Sequence, residues 1–137
     1  MNGFLLDTNV VSELRKRERC ATKVNAWAQS TEPNQNFLSV LVIGELRRGA
    51  ILRRRSNRAA ADLLEQWIAR LTHLYGDRIL PITLEIAQEW GRLSAVRPIP
   101  AEDGLLAATA NVHRLTFVTR NPRNVQGLGV AILNPWV

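Results

Sequence analysis

Five short runs rich in β-branched or large apolar residues alternate with longer helical patterns along this chain. The runs cover residues 4–7, 36–39, 78–82, 116–119 and 129–133, and turn formers bound each of them, as they bound strands. Apolar residues at helical spacing fill the intervals 10–15, 21–30, 40–54, 58–75, 83–95 and 102–113. Strands that alternate with helices predict an α/β fold: a central, mainly parallel sheet of four to five short strands, with helices on both sides. A length of 137 residues suits one domain over 1–137 and is enough to bury a core without staples. The run from Arg53 to Arg58 reads as a junction between two helices, not as a linker between domains.

Three carboxylates occupy odd positions in this pattern. Asp7 ends the first apolar run, Phe4-Leu5-Leu6. Open α/β sheets bind ligands outside the carboxyl ends of their strands. An aspartate before a helix is also an ordinary N-cap, although Thr8 or Asn9 could serve equally well. Glu45 interrupts the stripe Val42, Leu46, Gly49, where an unpaired charge is costly. An arginine, a proton or a metal would have to meet it. Asp103 opens a helix after Pro98-Ile99-Pro100 and shares a face with Leu106, Ala107 and Ala110. The backbone dipole favours a carboxylate in that first turn, yet the shared face turns Asp103 inward. Glu102, on the same reasoning, faces solvent.

The remaining chemistry-bearing residues narrow the choice. Ser39 is placed to cap the helix that carries Glu45. Thr119, Arg120 and Asn121 close the fourth run. His73 and His113 lack metal-ligand spacing, and Cys20, the single cysteine, has no base beside it. A lone cysteine makes no internal disulfide, which predicts a reducing, cytoplasmic setting. Trp27, Trp67, Trp90 and Trp136 are spaced as core or interface residues rather than as a platform for bases. Gly127-Leu128-Gly129 precedes a strand, so it reads as a turn and not as a phosphate loop. No apolar run approaches a membrane span, and Met1-Asn2-Gly3 carries no basic leader. The net charge of +6 favours a polyanionic partner, nucleic acid first. Arg47, Arg48, Arg53, Arg54, Arg55 and Arg58 would form a basic rim.

These segments together resemble the PIN-domain family, specifically the VapC-like and FitB-like toxins of bacterial toxin–antitoxin pairs. The matching stretches are Leu5-Leu6-Asp7-Thr8-Asn9, Gly44-Glu45-Leu46-Arg47-Arg48-Gly49, Glu102-Asp103-Gly104-Leu105-Leu106-Ala107-Ala108-Thr109-Ala110, Thr119-Arg120-Asn121 and Leu133-Asn134-Pro135-Trp136. They follow one another in order along nearly the whole chain. The resemblance implies a Mg²⁺- or Mn²⁺-dependent endoribonuclease, homodimeric and held inactive by a co-expressed antitoxin protein. Asp7, Glu45 and Asp103 fall on the family's metal-site acids. Asp7 and Asp103 would be the closest ligands, and Glu45 would hold a second ion or a water. The family's fourth acid belongs at Asn121 or shortly after it, and here both Asn121 and Asn124 are amides. Asn121 would then orient substrate. Asn9, Ser39, Thr119, Arg47, Arg48 and Arg54 are the candidates for binding RNA.

Two other functions compete. A haloacid-dehalogenase-type phosphotransferase also begins with a strand and an aspartate. That chemistry wants a second aspartate two residues on, where this chain has Asn9. A catalytically dead PIN module, binding RNA or protein, would suit the missing fourth acid.

Overall fold

The computed structural model describes residues 3–137. Met1 and Asn2, part of the stretch without a basic leader, lie outside them. The strands are β1 (Phe4–Leu6), β2 (Asn36–Ser39), β3 (Ile79–Leu80), β4 (Thr116–Val118) and β5 (Ile132–Leu133). The helices are α1 (Thr8–Leu14), α2 (Thr22–Gln29), α3 (Val40–Arg54), α4 (Arg58–Tyr75), α5 (Leu84–Ser94) and α6 (Ala101–His113).

All four strand pairings are parallel, in the order β3-β2-β1-β4-β5. β1 is central: Phe4 pairs with Asn36 on one side and with Thr116 on the other. The chain leaves β1 toward β2 and later returns to β4 on the opposite side. The order therefore reverses between β1 and β4, the place where parallel sheets open a crevice at their carboxyl ends.

Leu5, Leu6, Leu38, Phe117 and Val118 are buried almost completely, because both faces of a parallel sheet are covered. Val42, Leu46 and Ala50 form the buried stripe of α3, and α6 buries Leu106, Ala107, Ala108 and Ala110. The small alanines let α6 lie close to the sheet. α3 packs along α4 and α5 along α6.

Several boundaries differ from expectation. α1 begins at Thr8 rather than at residue 10, because Asp7 caps it: Asp7 Oδ1 accepts from the Thr8 backbone N–H at 2.8 Å. Thr8 and Asn9 are therefore helical and are not the caps. β3 and β5 shrink to two residues each. Before β5, Gly127 and Gly129 take positive φ values of 82° and 76°. A chain turning in that left-handed region cannot continue a strand, so the expected strand over 129–133 keeps only its end.

Candidate active site at the carboxyl edge of the sheet

Each acid reaches the crevice by a different route. Asp7 stands at the end of β1, only 8% exposed. Its Oδ2 accepts from the Thr119 hydroxyl at 2.7 Å and from Asn9 Nδ2 at 3.4 Å. Thr119, 1% exposed at the end of β4, thus links the two central strands through Asp7. Asp7 caps α1 and also faces the crevice, two placements expected to be alternatives.

Glu45 projects from the second turn of α3. Its Oε1 accepts from the Thr8 hydroxyl at 2.6 Å, which ties α3 to the start of α1. Among the described residues no arginine or lysine forms an ion pair with Glu45. Asp103 comes from the first turn of α6, and its Oδ2 accepts from Asn124 Nδ2 at 2.9 Å.

The acids press on one another. Burial raises the Asp7 carboxyl above its ordinary value, hydrogen bonds from Thr119 and Thr8 oppose this, and the charges of Asp103 and Glu45 add to it. Asp103 is raised by burial, opposed by the Asn124 amide, and raised further by Glu45. Glu102 departs most, pushed up to about 7 by partial burial, a hydrogen bond with Glu45, and the charges of Glu45, Asp103 and Asp7.

Glu102 is exposed to solvent as expected, but it does not stand apart from the acids. It stands at the exposed lip, and its carboxyl meets Glu45. Position on the helical face does not reveal this contact, because Glu102 lies in the first turn of α6, where a long side chain reaches around the helix end. Its position directly before Asp103 was the available signal.

The other candidates divide. Ser39 is fully buried and caps α3 through Leu41 N at 3.1 Å, so it cannot touch a substrate. Thr119 is equally inaccessible and meets the site through its hydrogen bond to Asp7. Asn9 is nearer the opening: its Oδ1 accepts from the Arg120 backbone N–H at 3.3 Å. Asn121 reaches the site only by its backbone, which donates to Thr119 Oγ1 at 3.1 Å. Of Asn121 and Asn124, it is Asn124 whose side-chain amide touches an acid. Arg54 is committed to Asp62 and Glu65, and Arg47 reaches Glu65 at 3.4 Å. Local pairing therefore removes two arginines from the expected rim. Arg48, Arg53, Arg55 and Arg58 have no ion-pair partner among the described residues.

The donor set suits a hard divalent cation, since oxygen ligands are what Mg²⁺ and Mn²⁺ take. The mutual repulsion of four carboxyl groups is what such a cation would relieve. The acids do not form a closed cage: among the described residues no three Asp, Glu, His or Cys side chains converge tightly enough to enclose an ion. Asp7, Glu45 and Asp103 are each turned toward a protein donor. Mg²⁺ does not need a closed cage, because it keeps several waters and uses one or two carboxylates together with substrate oxygens.

Residues 4–126 match the family model of the PIN domain. The chain is 34% identical to toxin FitB of Neisseria gonorrhoeae, over 97% of this chain and 98% of that protein. It is 31% identical to VapC ribonuclease Y4jK of Sinorhizobium fredii, over 97% of each. Its fold superposes on a chain in the crystal structure of FitAcB from Neisseria gonorrhoeae with a TM-score of 0.87 at 33% identity, covering 97% of this chain and 98% of that one. A chain of VapBC-1 from nontypeable Haemophilus influenzae shares the fold at a TM-score of 0.73 and 21% identity, covering 98% of each.

Proposed function

The chain belongs to the PIN-domain family, and from that premise we propose that it is a metal-dependent endoribonuclease, the toxin of a bacterial toxin–antitoxin pair acting in the cytoplasm. One observation carries the reading: Asp7, Glu45 and Asp103, separated widely in sequence, face the same end of the sheet closely enough to raise one another's pKa, and among the described residues none of them forms an ion pair. Relatives named as a ribonuclease and as a toxin, each matched along nearly its full length, support it.

Asp7 and Asp103 would hold Mg²⁺ or Mn²⁺, and Glu45 and Glu102 are the neighbouring carboxyl groups. When bound, such an ion would supply Lewis-acid polarisation of a phosphoryl oxygen and lower the pKa of a water. The chain's own groups do the rest. Thr119 and Thr8 orient Asp7, and Thr8 also orients Glu45. Glu45, half-buried and hydrogen-bonded to Thr8, would accept the proton released by water. Asn124 holds Asp103 in the position its helix gives it.

The antitoxin partner has a place to dock. A groove of about 470 Å³ runs between the end of α1 and α4, floored by Trp67, Leu71 and Leu74 and edged by Arg15, Arg17 and Arg70. Leu63 and Leu74 are 59% and 70% exposed there. An amphipathic segment with acidic flanks fits such a surface. On α3, Ile51 and Leu52 are 52% and 40% exposed, which supplies apolar area for a homodimer.

Cleavage of single-stranded RNA with and without Mn²⁺, for the wild type and Asp103→Asn, tests the activity. Metal-dependent cutting that Asp103→Asn abolishes is the expected result. Equal cutting by both proteins would sink the site assignment. No cutting by either, with RNA binding retained, would identify a catalytically dead module instead.

A further inference from the structure

A polar crevice of about 730 Å³ lies beside the acids, walled by Arg120, Asn121, Arg123, Asn124, Gln126 and Asn134. No carboxylate lines it, although it is joined directly to a site built of carboxylates. Asn124 is shared by both, through its 2.9 Å contact with Asp103. Asn121 connects to Asp7 through Thr119.

The walls are held from behind. Arg97 Nη2 donates to the carbonyls of Asn124 and Gln126 at 3.3 and 2.7 Å, which clamps the loop after β4. The Arg120 guanidinium lies 4.9 Å over the Trp136 ring. Asn134 joins the two: its Nδ2 donates to Arg120 O at 3.4 Å, and its Oδ1 accepts from Trp136 N at 3.0 Å. The side-chain amides of Asn121 and Gln126 form no hydrogen bond among the described residues.

Side-chain amides offer a donor and an acceptor side by side, the pairing that base edges present. Guanidinium groups take phosphate. Unpaired RNA exposes its base edges, whereas an A-form duplex hides them from side chains. The volume falls in the range of small-ligand sites. We propose that this crevice seats an unpaired base of a single-stranded RNA, next to the phosphate held at the acids, and so selects the cut site. The inference rests on the ribonuclease reading given above. Arg123 supplies phosphate attraction, the unbonded amides of Gln126 and Asn121 read the base, and Asn134 holds the wall that positions it.

Sequencing of cut ends from a randomised single-stranded RNA library, with Mn²⁺, tests this for the wild type, Gln126→Ala, Asn134→Ser and Arg123→Gln. Serine at 134 keeps an oxygen for the Trp136 N–H, and Gln126 is exposed, so neither change removes core packing. The wild type is expected to favour one base at a position adjoining the cut. Gln126→Ala or Asn134→Ser should weaken that preference about fivefold or more. Arg123→Gln should lower cutting at all sequences and reduce its salt dependence. Cut-site profiles of all three variants that superimpose on the wild type would overturn the proposal. If the wild type cuts no RNA, the ribonuclease reading fails, and binding of fluorescent RNA homopolymers then decides the crevice. A base preference altered in Gln126→Ala or Asn134→Ser supports it, and an unaltered one overturns it.

Discussion

The Asn124 side chain donates to Asp103 across 2.9 Å, bringing the loop after β4 to the first turn of α6. The family resemblance places a fourth acid at one of two asparagines in this loop, and only Asn124 touches the cluster by its side chain. An aspartate at 124 would put a second carboxylate beside Asp103 and raise the charge presented to a cation. Asn124→Asp should therefore tighten Mn²⁺ binding by about tenfold, the value of roughly 1.4 kcal/mol of added attraction, whereas Asn121→Asp should change it little. Calorimetric titration with Mn²⁺ measures both. Equal gains from the two variants would contradict the geometry.

Thr119→Val keeps the shape of a side chain that is 1% exposed and deletes its hydrogen bond to Asp7. A buried carboxylate that loses a donor costs about 1–3 kcal/mol, and chemical denaturation should show a loss of that size. The Thr119 hydrogen bond lowers the Asp7 pKa, so its removal raises that pKa further. In the proposed metal-binding role Asp7 works ionised. The acid limb of the pH–rate profile should consequently move to higher pH, and a limb that stays in place would separate Thr119 from Asp7 function.

Much of the fold was legible because its signals are local. Residues 4–7 and 116–119 are apolar runs with turn formers at their ends, and Val42, Leu46 and Ala50 repeat at helical spacing. The inward acids were legible as contradictions, charges set in buried stripes. What escaped depends on three-dimensional neighbours. Glu102 was assigned to solvent by its helical position, yet Glu45 from a distant helix comes to meet it. Arg54 belongs to the expected rim, yet Asp62 and Glu65, one helical turn apart on α4, both pair with it. Ser39 and Thr119 looked available to substrate, and nothing in a single sequence reports that the sheet closes over them. The choice between Asn121 and Asn124 turned on a three-residue helical turn, Pro122–Asn124, which rotates the second amide toward α6.

Glu102 makes stability depend on pH in a definite direction. Its folded-state pKa is raised from 4.5 to about 7, so the folded protein prefers the protonated form. The stabilising contribution is fully present below the unfolded value and is lost as pH rises through about 7. Asp7 and Asp103 are shifted in the same sense. Without added metal, the Tm of the wild type should fall as pH rises from about 4.5 to 7. Glu102→Gln should flatten that slope, and Mn²⁺ should offset the loss in the wild type by neutralising the cluster. A Glu102→Gln protein whose Tm follows pH just as the wild type does would show that Glu102 is not coupled to the other acids.

Gly104 couples the packing of α5 against α6 to the placement of Asp103, its immediate neighbour. A Cβ at 104 would stand 2.8 Å from Ile99 Cδ1 and 2.9 Å from Trp90 Cδ1. The Ile99 methyl can swing aside, but the Trp90 ring packs against the core and must move as a unit. Alanine gains about 1 kcal/mol from helix propensity, while overpacking costs about 1–3 kcal/mol. The contact with a rigid ring sets the balance, so Gly104→Ala should lose stability by about 1 kcal/mol, a few degrees in Tm for a chain of this size. Relief of the clash also moves the start of α6 away from α5 and lengthens the Asp103–Asn124 hydrogen bond. Mn²⁺ affinity should fall together with Tm. Thermal denaturation and Mn²⁺ titration of the same preparation test the linkage: a destabilised Gly104→Ala protein that binds Mn²⁺ as the wild type does would show that α6 packing and the acid cluster are independent.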